Sequence, residues 1–230
     1  MNNFYFKKGF TLAEILITLG IIGVVAAMTI PNLMTAYKKH EIETKLKKAV
    51  STINQAVKMS EAENGDMEDW DKELDQITFL KRYINPYLKI SQYCVGQGSC
   101  GYENKNTVWR YANGNYGDYG NPFYNNRVLF ITMDGIVFAF TFLNAGTRVE
   151  SDNDKVIIID INASRKPNQF GKDIFFLYRI EEKDSIIPYG ADKGQNEIQN
   201  DCNNNNRGIY CAALIRQHGW KIPKNYPIKL

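Results

Sequence analysis

Few side chains in this sequence of 230 residues are arranged to do chemistry. The two histidines are His40 and His218, and neither falls in a nucleophile motif. The sequence contains no phosphate-binding loop and no dinucleotide-binding fingerprint. We therefore predict that the protein is not an enzyme and has no cofactor.

The four cysteines form two closely spaced pairs. Five residues separate Cys94 from Cys100, and eight separate Cys202 from Cys211. Neither spacing matches the roughly two to four intervening residues of structural zinc sites. An even number of cysteines in an exported domain favours disulfides, although four cysteines permit more than one connectivity. We predict the local pairs Cys94–Cys100 and Cys202–Cys211, and no metal.

Two polar motifs are interpreted as structural features. Asp152-Asn153-Asp154 contains the carboxylates that calcium prefers, but it lacks the glycine and the distal glutamate of a calcium-binding loop. We expect a solvated turn there. Asn162-Ala163-Ser164 fits a glycosylation acceptor by pattern alone, and we expect a turn that follows a strand.

Glu14 is the one charged residue in an apolar segment of 21 residues, Phe10–Ile30. As a helix, this segment would span about 30 Å, the thickness of a hydrocarbon core. An ionised carboxylate near the centre of a membrane helix costs about 2.5–3.5 kcal/mol on insertion scales. We predict a targeting or membrane segment in which Glu14 has a specific role.

One hypothesis for this segment is a conventional secretory signal. Lys7 and Lys8 would form its basic region, and cleavage would follow Ala27. The mature chain would then be an exported soluble binding domain or enzyme. This hypothesis gives Glu14 no role.

The second hypothesis comes from the sequence around the start of the segment. Residues 8–16, KGFTLAEIL, closely resemble the leader junction of type IV pilins and type II secretion pseudopilins. The resemblance implies that a prepilin peptidase cuts after Gly9 and methylates the new N-terminus at Phe10. It also implies that Glu14 pairs with the N-terminal amine of a neighbouring subunit, which would fix the register between subunits. The alternatives for Glu14 are solvation near the headgroups and pairing with its own N-terminus.

The resemblance also implies a function, a cellular location and a set of partners. It implies a structural subunit of a type IV pilus-like or type II secretion filament, polymerised through its N-terminal helix. The subunit would cross the bacterial cytoplasmic (inner) membrane once, with its head outside the cytoplasm, and then join a periplasmic or cell-surface filament. Its partners would be prepilin peptidase, identical or related subunits, an inner-membrane assembly platform and, before assembly, membrane lipid.

Other features of the sequence bear on these implications. Lysines that follow the span argue for the opposite orientation, so we take the orientation from the resemblance and from the cysteines, which indicate an exported head. A net charge of +3 is too balanced to indicate a nucleic-acid partner. The second cysteine pair would correspond to the C-terminal disulfide loop of many pilins. Major pseudopilins often bind calcium near the C-terminus, but Asp192, Glu197 and Asp201 do not match that motif.

The elements that must position these residues begin with one long helix. We predict it from about Phe10 to about Glu63, kinked or locally melted near Pro31 and ended by Asn64-Gly65. At ~80 Å, its first half would project beyond any compact head. Its second half has an apolar stripe at helical spacing, composed of Ile42, Leu46, Ala49, Val50, Ile53, Ala56, Val57 and Ser60. On its outer face, Glu41–Lys45 and Glu43–Lys47 are predicted ion pairs at i,i+4 spacing.

The remaining sequence predicts a globular head. We expect a short helix at about 74–84, a decorated aromatic surface loop at 93–126 and a short helix within 207–217. Strands are predicted at 128–133 and 136–142, joined by a two-residue Asp134-Gly135 turn, and at 156–161 and 174–180. Three or four antiparallel strands would leave one apolar face for the helix stripe to cover.

The predicted fold class is therefore α+β and pilin-like, with a long N-terminal helix packed on a small antiparallel sheet. We divide the chain into a leader at 1–9, a transmembrane and assembly half of the helix at 10–30, an amphipathic half at 31–64 and a head at 65–230. Specific binding by the aromatic loop is a minor alternative to a plain surface role. Its aromatic residues are Tyr102, Trp109, Tyr111, Tyr116, Tyr119 and Tyr124.

Overall fold

The computed structural model describes residues 9–71, 73–105, 108–117, 119–124, 127–140, 156–180 and 185–230. The chain divides into two compact units, Met1–Lys39 and His40–Leu230. The α+β arrangement is that of a pilin, with a long N-terminal helix followed by an antiparallel sheet. The predicted fold class is confirmed.

Helix α1 extends from Leu12 to Asn64 and contains 53 residues. It is helical through Pro31, so the expected local melting is wrong. A proline removes only one backbone hydrogen bond, and the apolar pattern continues on both sides of it. The helix ends where predicted, because Gly65 takes the left-handed φ of +81° and its N–H donates to the Glu61 carbonyl.

The predicted stripe on the second half of α1 is confirmed. The residues of α1 that are buried are the eight predicted ones, Ile42, Leu46, Ala49, Val50, Ile53, Ala56, Val57 and Ser60. All of them except Ser60 belong to one hydrophobic cluster with side chains from the sheet. This half of the helix therefore forms part of the core of the second unit.

The outer face of α1 differs from the expected pattern at one ion pair. Glu41 and Lys45 form the expected pair, with 2.8 Å between Oε1 and Nζ. Glu43, expected to pair with Lys47, instead accepts hydrogen bonds from Lys221 Nζ and the Ile222 N–H, each at 2.8 Å. The C-terminal segment competes successfully because its backbone N–H offers a second, fixed donor.

The sheet has six antiparallel strands in the order in which they occur along the chain. This is more than the predicted three or four, because two short, partly polar strands at the edges escaped prediction. The strands are β1 (Ile90–Cys94), β2 (Leu129–Thr132), β3 (Val137–Phe140), β4 (Val156–Asp160), β5 (Ile174–Ile180) and β6 (Ser185–Pro188).

The β2–β3 hairpin has a three-residue loop, not the predicted two-residue turn. Thr132 pairs with Ile136 through a 2.9 Å N–H···O bond, which leaves Met133, Asp134 and Gly135 between them. Gly135 has a φ of +79°. A three-residue hairpin loop usually consists of a turn followed by a left-handed glycine. The sequence Asp134-Gly135 is therefore compatible with this loop as well as with the predicted two-residue turn.

Asn54 of α1 protects an edge of the sheet. Its amide oxygen accepts from the Ile186 N–H at 2.9 Å, and its amide nitrogen donates to the Ile186 carbonyl at 2.7 Å. Ile186 lies on β6, whose outer edge would otherwise expose these groups to pairing with another chain. A side chain of the long helix therefore caps the last strand.

The largest difference from the predicted fold concerns the aromatic loop at 93–126, which we expected to lie on the surface. Tyr102, Trp109 and Tyr111 are buried, Tyr119 is half-buried, and only Tyr116 and Tyr124 are exposed. The buried rings cover the second face of the sheet, opposite the face that α1 covers. Strands that are apolar on both faces require a second layer to cover them. We predicted a surface loop from its composition alone and did not take this requirement into account.

The described part of the second unit also contains three short α-helices, α2 (Gln76–Tyr83), α3 (Gln195–Asp201) and α4 (Cys211–Gln217). The helices predicted near 74–84 and within 207–217 are confirmed, and α3 was not predicted. The structure joins Cys94 to Cys100 and Cys202 to Cys211, the two pairs that the spacing favoured. The first bond ties the end of β1 to the aromatic layer, and the second ties α3 to α4.

Replacing Ile53 by alanine should destabilise the second unit, because Ile53 is fully buried between α1 and the sheet. A loss of about 2–5 kcal/mol in the free energy of unfolding is expected. Met59→Ala, on the exposed face of the same helix, should change it by less than about 0.5 kcal/mol. Urea unfolding of the full chain in detergent, followed by tryptophan fluorescence, measures both. Equal effects of the two substitutions would contradict the packing described here.

Candidate processing and assembly site

Gly9 and Phe10 lie on an exposed backbone immediately before α1. Phe10 is 86% exposed. A Cβ added at Gly9 would meet no atom within 4 Å, and Gly9 does not take a left-handed φ. Neither backbone conformation nor packing within the described chain therefore requires glycine at this position. A requirement for glycine here would come from a protein that approaches the backbone closely.

Thr11 and Glu14 form a reciprocal capping box at the start of α1. The Thr11 N–H and hydroxyl donate to Glu14 Oε2 at 2.8 and 2.7 Å, and the Glu14 N–H donates to Thr11 Oγ1 at 3.3 Å. Two otherwise unsatisfied N–H groups are satisfied in this way. The T-x-x-E spacing could have identified this role in the sequence, but our sequence analysis considered Glu14 only as a charge.

Within the described residues, the Glu14 carboxylate has hydrogen bonds from Thr11 but no ion pair. Among the described residues, no cationic group lies within ion-pair distance of the Glu14 carboxylate. The carboxylate is exposed in this chain, and one of its oxygens already accepts two hydrogen bonds from Thr11. The geometry allows a further donor to reach it from outside the chain.

The first half of α1 has an apolar surface that nothing in the described chain covers. This helix is long and apolar enough to cross a membrane, and none of its apolar window is buried. Contiguous apolar surface of this size is not stable in water and requires lipid or other helices around it. The large side chains, each at least 42% exposed, are Leu12, Ile15, Leu16, Ile17, Leu19, Ile21, Ile22, Val24, Val25, Met28, Ile30, Leu33 and Met34.

The remaining candidates from the sequence belong to the second unit. Asp192 accepts a hydrogen bond from the Tyr178 hydroxyl, and Asp201 accepts one from the Tyr210 N–H. Glu197 lies exposed on α3. The described residues contain no group of three or more metal-ligating side chains. Asp152-Asn153-Asp154 lies outside the described residues.

Two buried carboxyl groups escaped the sequence analysis. Asp160 at the end of β4 is fully buried and accepts from the Tyr102 hydroxyl at 2.9 Å and the Asn162 N–H at 3.1 Å. Asp173 accepts from the N–H groups of Asn168 and Gln169 at 2.8 and 2.7 Å. Burial raises the pKa of Asp173 from 3.8 to about 6. Burial and the charge of Asp173 raise the pKa of Asp160 well above its ordinary value.

These features define the class of the protein. A pilin-like fold begins with an exposed Gly9–Phe10 junction, a capped Glu14 and an uncovered apolar helix. Residues 6–30 match the prokaryotic N-terminal methylation motif, which is the prepilin-type signal of type IV pilins and pseudopilins. The motif supports a substrate of the pilin or pseudopilin type, a class of proteins that is structural and not enzymatic. The signal implies processing by a prepilin peptidase, and with the apolar helix it is consistent with anchoring in the inner membrane.

The sequence that follows this signal identifies the family to which the chain belongs. Residues 32–230 match the model of a family of unknown function (DUF6613), and the chain belongs to that family. No curated protein and no solved structure matches the chain.

The pKa of Asp173 predicts how stability depends on pH. The folded state holds this proton to a higher pH than the unfolded chain does, so the stabilisation is present below pH 3.8 and is lost as the pH rises through about 6. The free energy of unfolding should fall by up to about 3 kcal/mol over this interval from Asp173 alone. Thermal unfolding of the full chain at a series of pH values tests the direction.

Asp160→Asn should raise the melting temperature at pH 7.5 and weaken the pH dependence. An asparagine oxygen can accept from the Asn162 N–H, and its amide can donate to the Tyr102 oxygen, so the geometry survives without a buried charge. Asp69→Asn, at an exposed position, serves as the control and should leave the curve unchanged. A less stable Asp160→Asn variant with an unaltered pH profile would contradict this account.

Proposed function

We propose that this protein is the subunit of a type IV pilus-like or type II secretion filament. The subunit is inserted in the cytoplasmic membrane, cut after Gly9, methylated at Phe10 and polymerised through α1. The observation that carries the proposal is the prepilin-type signal at residues 6–30, located on a helix whose apolar surface has no cover within the described chain.

The two environments that can cover this surface explain how the subunit is stored and used. Lipid covers the apolar half of α1 before assembly, and the equivalent helices of neighbouring subunits cover it in the filament. Burial is similar in both states, so extraction from the membrane is the step that requires energy. The second unit, which has its own core and two disulfides, forms the outer surface of the filament.

Glu14 gives each subunit a fixed axial position. Removal of the leader leaves an ammonium group at Phe10, and a carboxylate in apolar surroundings is stable only beside such a cation. The capping box positions the Glu14 side chain toward the N-terminal end of the helix, where the amine of an adjacent subunit can reach it. A subunit in the wrong register would bury both charges without partners.

The intact mass and N-terminal fragment spectrum of the protein from native membranes test the processing step. We expect a chain that begins at methylated Phe10. Gly9→Leu should abolish cleavage without disturbing the fold, because a side chain at Gly9 meets nothing in the described chain. Gly20→Ala is the matched control and should be cut normally. A mature chain beginning at Met28 would show a conventional signal and would end the filament hypothesis.

Two substitutions separate the charge of Glu14 from its capping role. Glutamine can still accept the hydrogen bonds from Thr11, so Glu14→Gln keeps the helix cap and removes only the charge. We expect Glu14→Gln and Glu14→Ala both to insert in the membrane and both to lose filaments, at least about tenfold by shearing and immunoblot. Glu197→Gln, at an exposed position on α3, is the control. Normal filaments from Glu14→Gln would show that Glu14 acts only as a cap.

A further inference from the structure

The exposed side of α1 in the second unit is basic along three turns. Lys47 and Lys58 are eleven residues apart, which places them on nearly the same face and ~16 Å apart along the helix axis. Ser51 and Gln55 lie exposed between them. No ion pair to Lys47 or Lys58 occurs in the part of the chain that the structure describes. We call these four residues the basic stripe.

A surface groove of about 470 Å³ adjoins the start of the basic stripe. Lys47, Lys48 and Lys221 line it together with the half-buried ring of Trp220. Its one carboxylate, Glu43, is neutralised by Lys221 and by the Ile222 N–H. Lys48 is paired with Asp134 at 2.7 Å, so Lys47 is the cation of this groove that has no ion pair among the described residues. The groove therefore offers the Lys47 ammonium and an aromatic wall to a partner.

The chain that follows the basic stripe has the opposite charge. Residues 61–75, the acidic segment, contain eight of the 25 carboxylate side chains and a single lysine. Asp69, Asp71 and Glu73 are exposed, and none of them has an ion pair within the described ranges. The eight acidic residues are Glu61, Glu63, Asp66, Glu68, Asp69, Asp71, Glu73 and Asp75.

Lys47, at the start of the basic stripe, lies far from the acidic segment of its own chain. It is sixteen residues from Glu63, which corresponds to ~24 Å along a rigid helix. That distance is more than twice the Debye length of about 8 Å at physiological ionic strength. The acidic segment of another copy of the chain has the opposite charge and can approach Lys47 more closely.

We propose that the acidic segment of one subunit docks on the basic stripe and groove of the next copy along the filament. The axial distances from Lys58 and Lys47 to Glu63, near the end of α1, are about 8 and about 24 Å, so a displacement of this size along α1 brings the acidic segment alongside the basic stripe. The contact joins two different surfaces, so its repetition generates an open polymer and not a closed dimer. This inference rests on the proposed function, and it identifies the contact between the heads.

Zero-length carbodiimide cross-linking of filaments made from a mixture of ¹⁴N- and ¹⁵N-labelled full-length chains tests the contact directly. Mixed-isotope peptides that join Lys47 or Lys58 to Asp69, Asp71 or Glu73 are expected. The isotope mixture separates links between subunits from links within one chain. If links between subunits involve other residues, such as Glu197 on α3, and not these, the contact is wrong.

Charge reversal provides a functional test with rescue. Lys47→Glu/Lys58→Glu and Asp69→Lys/Glu73→Lys should each reduce filament yield roughly tenfold, because like charges would face one another. Both pairs combined should restore most of the yield. Lys224→Glu and Glu197→Lys reverse exposed charges elsewhere in the second unit and should assemble normally.

The outcomes separate this contact from the proposed function. If wild-type filaments form, and both reversed pairs assemble as well as their controls, the contact is overturned and the filament function stands. A reversed pair that fails without rescue by the combined variant also overturns the contact. Absence of any polymer from a wild-type chain cut after Gly9 would overturn the filament function and the contact together.

Discussion

The architecture depends on one continuous helix that must satisfy two different surroundings. An α-helix satisfies its backbone hydrogen bonds internally, so its side chains alone decide what can surround it. Up to Met34, α1 presents large apolar side chains on every face, and none of them is buried in the chain. From Ile42 onward, the buried residues are confined to one stripe. The same backbone therefore passes from a segment that needs lipid or other helices to a segment that needs a sheet.

The second unit is constructed around strands that are apolar on both faces. The stripe of α1 covers one face, together with residues of α2 and α4. Tyr102, Trp109 and Tyr111 cover the other face, together with Phe123 and Phe170. The Cys94–Cys100 bond and the Tyr102–Asp160 hydrogen bond hold the aromatic layer to the sheet. A loop that is rich in glycine and asparagine thereby becomes a layer of the core.

The buried charged groups of the second unit differ in their partners. Arg179 on β5 reaches Glu61 and Asp66 at 2.9 and 3.2 Å, and this network connects the sheet to the end of α1. Asp160 and Asp173 are both buried, and among the described residues neither forms an ion pair, so protonation stabilises them. The charges on the surface are arranged differently. Basic residues lie along α1, and acidic residues lie at its end and in the segment that follows it. Such segregation favours contacts between molecules over contacts within one.

The sequence by itself determined the features that depend on local chemistry and periodicity. Neighbouring residue types were enough to predict the prepilin-type signal, the extent of α1 and the eight buried residues of its stripe. They were also enough to predict strands β2 to β5. Tertiary structure alone decided which surfaces those elements share. Glu43 exchanged its predicted partner for Lys221, and Asn54 bound the edge of β6, because these groups are distant in sequence and meet only in the folded chain. The aromatic loop became core for the same reason, since its composition resembles surface and only the uncovered face of a sheet requires it to be buried.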